Sequence, residues 1–278
     1  MSPFWMPPLL LWAGIFTTMT LLWALSYKFK NAGIVDVFWG YFILPVTTFY
    51  WLITPVPAPD FSAGFPMTNP HVLFSICVVL SGLRLGTYLL DRFLKEWPVE
   101  DARYTRFRED WKNSGQNAEL MMWLAYQLQG LLMLLISVPV YLVFSNPATP
   151  VSPMQSAAAV VMVFAVVCEA LSDEQLRQFK ANPANKGTVC QAGFWNYSRH
   201  PNYFFQWLFW VGVFVFVLPY PWGWTMAYVP LLMLHFLINV TGIAATEARL
   251  LQSRGEPYRQ YQETTSPFIP FFKKKVAS

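Results

Sequence analysis

The chain has 278 residues, of which 55% are apolar, 18% aromatic and 12% charged, with a formal net charge of +4. Charged residues make up about a quarter of an ordinary soluble domain, so this composition excludes a soluble fold and predicts an integral membrane protein. The basic surplus reads as membrane topology and attraction to anionic headgroups and does not call for nucleic acid as a partner.

Runs of about 20 apolar residues, enough to cross a roughly 30 Å hydrocarbon core, predict an all-α polytopic membrane protein with seven transmembrane helices. The spans fall at residues 7–26, 34–54, 71–90, 119–144, 153–171, 202–218 and 222–240. A Pro-rich outer loop is expected over 54–70 and a tight turn over 219–223. In this arrangement all 19 Lys and Arg residues fall on one side, while the opposite connections carry Asp60 alone. The positive-inside rule then places the N-terminus outside and the C-terminus in the cytoplasm. No basic region precedes the first span, so a cleavable signal is not expected. No internal repeat or long linker divides the chain, and one membrane domain over 1–278 is the economical reading.

Polar groups inside such a sequence are informative because hydrocarbon penalises them. The segment Gly193-Phe-Trp-Asn-Tyr-Ser-Arg-His-Pro-Asn-Tyr203 gathers Arg199, His200, Asn202 and Tyr203 at the mouth of the sixth span. Along the end of the fifth span, Glu169, Asp173 and Lys180 recur at helical spacing, a stripe able to hold ribose hydroxyls and a phosphate or simply to be solvated and paired with Arg177. Asn202 and Gln206 form an i,i+4 amide pair, and Gln129 lies within the fourth span; amides of this kind serve as ligand contacts or as interhelical glue. Asp36 stands near the start of the second span among large apolar residues, a setting that favours a protonated acid able to donate to a carbonyl. The alternative is an acidic first-turn residue favoured by the helix dipole. Arg84, with Tyr88 one turn on, either snorkels to headgroups or reaches an anionic site. Cys77, Cys168 and Cys190 show no zinc spacing and no disulfide pattern, and no metal site is expected.

These residues bring a family into view. The segment from Gly193 to Phe204, preceded by Leu171-Ser-Asp-Glu-Gln-Leu-Arg177 and followed by Tyr258-Arg-Gln-Tyr-Gln-Glu-Thr-Thr-Ser-Pro-Phe-Ile-Pro270, resembles the steroid 5-alpha-reductase family, and within it the branch known as DUF1295. The resemblance includes Gly82-Leu-Arg-Leu-Gly86, and its steroid-reductase-like C-terminal part runs over about residues 119–272. The Arg-His-Pro-x-Tyr core is similar also to that of sterol reductases and isoprenylcysteine carboxyl methyltransferases. The resemblance implies NADPH entering from the cytoplasmic side of a bacterial inner membrane or endoplasmic reticulum, and reduction of an α,β-unsaturated lipid ketone, steroid-like or isoprenoid. Carried over to this chain, Asp36 and Tyr88 are the expected catalytic pair. The expected cofactor contacts are Asp173, Lys180, Asn202 and Gln129 by match to the family, with Arg84, Arg103, Glu169, Arg199, His200, Gln206, Glu247, Arg254 and Tyr258 around them. Three positions depart from the family: Phe205 stands where a glycine is usual, Gln206 where an acidic residue is, and Ser81 where a tyrosine is, which leaves Tyr88 or Tyr126 to replace it. A methyltransferase using S-adenosylmethionine, in which Glu247 and Tyr258 close the cavity, and a non-catalytic lipid-binding protein are the alternative readings.

Overall fold

The computed structural model describes residues 6–55, 67–240 and 242–273. Most of the Pro-rich loop expected over 54–70, including Asp60, and the last two lysines of the tail lie outside the described residues. The chain divides into two compact units, Met1–Val151 and Ser152–Ser278.

The first unit is built from α1 (Met6–Phe29), α2 (Ile34–Tyr41), α3 (Ile43–Ile53), α4 (Pro70–Glu96), α5 (Ala102–Asn113) and α6 (Ala118–Ser145). Helix starts follow capping chemistry: Asn69, Asp101 and Asn117 each accept backbone N–H groups that the first turns of α4, α5 and α6 would otherwise leave unmet. The Gly82-Leu-Arg-Leu-Gly86 sequence has a packing purpose. A Cβ at Gly82 would overlap Ile43, and one at Gly86 would overlap the Tyr41 ring, so these glycines let α4 lie directly against α2 and α3. Helices α1 and α6 are joined by the Trp23 indole to the Glu119 carbonyl at 3.2 Å and by Gln127 to the Thr20 hydroxyl at 3.1 Å.

The second unit comprises α7 (Pro153–Ala181), α8 (Pro201–Val217), α9 (Tyr228–His235), α10 (Ile243–Arg254) and α11 (Glu256–Thr264). Ser152 and Gln155 form a reciprocal capping box at the head of α7, with Pro153 at the first helical position. Small residues line the α7–α8 seam: Ala158 and Ala165 are buried on α7, and a Cβ at Gly212 of α8 would run into Met162. The turn expected over 219–223 is present, closed by Gly223 N–H to the Tyr220 carbonyl at 2.8 Å. A turn of π-helix, Phe236–Val240, follows α9. After α11 the chain runs back beside the 197–199 segment, pairing Arg199 N–H with the Ser266 carbonyl at 2.8 Å and Phe271 N–H with the Tyr197 carbonyl at 2.9 Å.

Among the described residues, five helical segments are long and apolar enough to cross a membrane: Met6–Phe29, Pro70–Glu96, Ala118–Ser145, Pro153–Ala181 and Gly223–Val240. The pair α2 and α3 makes a sixth when counted as one span bent by 45°. The expected span over 202–218 corresponds to α8, which is apolar but only 17 residues long. The break within 34–54 has a local cause. Pro45 has no N–H for the Tyr41 carbonyl, and its ring crowds that carbonyl, so the helix ends at Tyr41 and restarts at Ile43.

Candidate functional site

In the second unit the polar groups converge on the start of α8. Ser198 is held by its hydroxyl on the Phe268 carbonyl at 2.7 Å, and the same oxygen accepts the His200 N–H at 3.1 Å. Tyr261 of α11 donates to the carbonyls of Trp195 and Ser198. The Trp195 indole in turn reaches the Ser172 carbonyl of α7 at 2.8 Å. The Arg-His-Pro segment is therefore gripped from α7, α11 and the tail, and its side chains have little freedom.

Arg199 is the hub. Its Nε and Nη2 meet the two Glu247 oxygens at 2.6 and 3.1 Å, and its Nη1 meets the carbonyls of Gln262 and Thr265 at 2.7 and 2.6 Å. Those carbonyls belong to the end of α11, where backbone acceptors lack intrahelical partners. Glu247 also receives Gln262 Nε2 at 2.9 Å and lies 3.2 Å from His200 Nε2. Burial opposes ionisation of Glu247, but hydrogen bonds from His200, Arg199 and Gln262, with the Arg199 charge, outweigh it and draw the carboxyl down to about 2. His200 stacks on Tyr203 with ring centroids 5.4 Å apart. Tyr258 is buried beside this ion pair; burial first, then the Glu247 charge, raises its phenol. Its hydroxyl makes no hydrogen bond of normal geometry despite the nearness of Glu247 and Arg199.

The stripe on α7 faces amides on α8. Asn202 donates to Asp173 at 2.9 Å. Gln206, with its amide turned to satisfy both neighbours, donates to both Glu169 oxygens at 2.8 Å and accepts the Trp210 indole N–H at 3.2 Å. Glu169 and Asp173 are both buried, so each carboxylate has a facing amide as the hydrogen-bond donor that burial demands. Further out, Arg254 Nη1 approaches the Gly187 position of the loop after α7, and Lys180 is exposed at the end of that helix.

In the first unit Asp36 meets a polar environment in place of the apolar one expected. Tyr104 donates to it at 2.7 Å and Arg103 at 2.6 Å, so both oxygens accept hydrogen bonds. Arg103 also contacts Asp101, as does Arg92 at 2.8 Å. Burial disfavours the Asp101 charge, yet hydrogen bonds from Arg103 and the charges of Arg103 and Arg92 lower it to about 2. The cavity beside Asp36, bounded by Asn31, Leu89 and Phe93, holds about 20 Å³, room for a water. Tyr88 is exposed on α4, with the Arg84 guanidinium over its ring at 5.5 Å. The tyrosine that partners Asp36 is Tyr104, which the sequence reading missed. Gln129 accepts the Trp39 indole N–H at 2.8 Å, linking α6 to α2. Tyr126, the other expected substitute, donates to the Ala32 carbonyl at 2.9 Å. Among the described residues no cluster of His, Cys, Asp or Glu could hold a metal ion.

Apolar helices of membrane length, with buried carboxylate–amide pairs and a guanidinium hub, define this as a polytopic helical membrane protein. Residues 22–265 match the family model described as Protein of unknown function (DUF1295), and the chain belongs to that family. Searches of curated proteins and of solved structures return no match.

Proposed function

We infer that the second unit binds a phosphorylated nucleotide cofactor and that the protein is an NADPH-dependent membrane reductase of activated carbon–carbon double bonds in lipids. The observation that carries this reading is the buried Asp173–Asn202 and Glu169–Gln206 pairing on α7 and α8, at the end of a unit rich in cations. The chain's surplus charge is unevenly shared: the first unit has nine basic and nine acidic residues, the second ten basic and six acidic. The donor set fits the group. Asp173 and Glu169 accept from ribose hydroxyls, Lys180, Lys186 and Arg254 neutralise phosphates, and the Tyr258 hydroxyl is a buried donor with capacity to spare. NADPH, when bound, supplies the hydride. Arg199 contributes from within, because four of its five N–H groups are committed to Glu247 and α11.

The likeness to steroid 5-alpha-reductases supports the reaction type, with the site on the cytoplasmic side of a seven-span chain. The departure at Gln206 is compensated by Glu169, which brings a carboxylate to the same amide from the facing helix. The proton-delivering role of Asp36 belongs to the same proposal, with Tyr104 as its partner. A second reading, transfer of a methyl group from S-adenosylmethionine, draws on the same internal commitment of Arg199, which takes the strongest phosphate binder out of play. Titration of the detergent-solubilised protein, followed by quenching of tryptophan emission, separates them. Saturable quenching by NADPH and none by S-adenosylmethionine is expected; the reverse result overturns the reductase reading.

A further inference from the structure

The segment after α11 combines exposed apolar bulk with positive charge. Residues 264–278 contain three lysines, Lys273-Lys-Lys275, and no aspartate or glutamate, and the lysines directly follow Phe268-Ile-Pro-Phe-Phe272. Phe268 turns inward, its ring 5.6 Å from that of Phe204 and 5.7 Å from that of Trp207 on α8. The large apolar side chains beyond it turn outward: Ile269, Phe271 and Phe272 are 59%, 68% and 78% exposed. Three such side chains left together on an irregular segment mark a contact surface.

Bonds within the second unit fix the depth of that surface. Helix α7 is of membrane length, and its apolar run gives way to polar residues at Ser172-Asp-Glu174. The Trp195 indole reaches the Ser172 carbonyl at this level, and two residues further on the Tyr197 carbonyl accepts the Phe271 N–H at 2.9 Å. Phe268 meanwhile lies against the first two turns of α8. The outward side chains therefore stand where hydrocarbon gives way to headgroups, the level at which aromatic residues settle in membrane proteins. The backbone suits that level, where scarce water makes an unmet polar group costly. Pro267 and Pro270 carry no N–H, the Phe271 N–H is bonded, and the carbonyls of Ser266 and Phe268 accept from the Arg199 N–H and the Ser198 hydroxyl. The Phe272 ring meets Tyr197 edge-on at 6.1 Å, which keeps the outermost side chain at the same level. At up to about 3.6 Å per residue, the three lysines fall within about 11 Å of Phe272. A basic run without an acid favours an anionic lipid surface over a zwitterionic one.

We propose that this segment is an interfacial anchor for anionic phospholipid, with Ile269, Phe271 and Phe272 seated at the acyl-chain boundary and the lysines that follow them on the headgroup phosphates. The anchor stands independently of the cofactor reading, and its test uses no reduction. The full chain carrying Phe272→Cys is spin-labelled, the three native cysteines being buried, and placed in nanodiscs of phosphatidylcholine with or without phosphatidylglycerol. Power-saturation EPR compares collisions of the label with oxygen, which concentrates in the bilayer, and with a water-soluble nickel chelate. The oxygen-to-nickel ratio at position 272 should exceed that of an Arg259→Cys label, on an exposed side of α11, at least about threefold, and Ile269→Cys should report the same. Phosphatidylglycerol should raise the ratio at 272 further, and replacing Lys273, Lys274 and Lys275 by Gln should abolish that rise. Equal ratios at 272 and 259 overturn the proposal, because the segment then faces water. A ratio indifferent to phosphatidylglycerol overturns the assignment of the lysines to anionic headgroups. Spin–spin broadening between labels at 272 overturns the anchor as well, since it seats a second copy of the chain on this surface.

Discussion

Replacing Glu247 by Gln probes the centre of the second unit and gives a result with a pH signature. Glu247 accepts from Arg199, His200 and Gln262, and its carboxyl is lowered from an ordinary 4.5 to about 2. That drop corresponds to about 3 kcal/mol of native-state preference for the ionised form. The figure agrees with the roughly 3–5 kcal/mol lost when one partner of a buried ion pair is removed. A depressed carboxyl stabilises the fold fully above its unfolded value and loses that contribution as pH falls from about 4.5 towards 2. Glutamine does not titrate, so wild type and Glu247→Gln should differ by about 3 kcal/mol at neutral pH and by less than half of that at about pH 3. In thermal scans followed by tryptophan fluorescence, the neutral-pH difference is about 10 °C for a unit of this size. Glu174→Gln is the control: it removes an equally short contact, 2.6 Å to Arg177, on an exposed helix face, and should leave the midpoint within scatter. A difference between wild type and Glu247→Gln that stays constant from neutral pH to about pH 3 would refute the assignment of the stabilisation to this ionised carboxylate.

Three other outcomes are expected. Tyr104→Phe removes the donor to Asp36 and should cost about 1.5–3 kcal/mol of stability, whereas Tyr27→Phe, on an exposed ring of α1, stays within about 0.5 kcal/mol; equal effects in chemical denaturation would contradict the placement of Tyr104. Lys180→Ala should weaken NADPH about tenfold and NADH far less, and equal weakening in fluorescence titrations would remove the phosphate contact assigned to it. Gly86→Leu forces a side chain into the Tyr41 ring and should lower stability by about 1–3 kcal/mol, while Gly14→Ala on α1, where a Cβ would meet nothing within 4 Å, should not lower it; matched losses in thermal scans would mean that both glycines serve packing.

The membrane-length helices were legible because each is a run of apolar residues ended by polar or turn-forming ones. The bend at Phe42 was legible in principle from Pro45, whose effect falls four residues earlier, on Tyr41, and so is missed when proline is read as a mark at its own position. The pairing of α7 with α8 was half legible: helical spacing put Glu169 with Asp173 and Asn202 with Gln206, but which amide faces which acid depends on how the two helices rotate about each other. Tyr104 left no local signal at all. It lies 68 residues from Asp36, on a polar helix between two apolar ones, and only the docking of α5 brings it there. Tyr88, one turn from Arg84, looked better placed because sequence reveals neighbours along a helix more readily than neighbours across one. The Arg199 hub was half seen: the cluster announced a polar centre, but a cation expected beside cofactor phosphates proved to be bonded chiefly to its own chain.

The clasp between the 197–199 segment and the residues after α11 also sets an order of events during synthesis. Arg199 depends on carbonyls at Gln262 and Thr265, and Ser198 on one at Phe268. They are not all available until the segment that follows α11 has left the ribosome. The first unit, Met1–Val151, precedes the second in the chain, so its helices can form while the second is still being made. During that interval Arg199 and Glu247 have to be kept solvated at the membrane surface. A stall or truncation before Phe268 would leave them there, a charged and incompletely closed helix end exposed to quality control, although every membrane-length helix had already been translated.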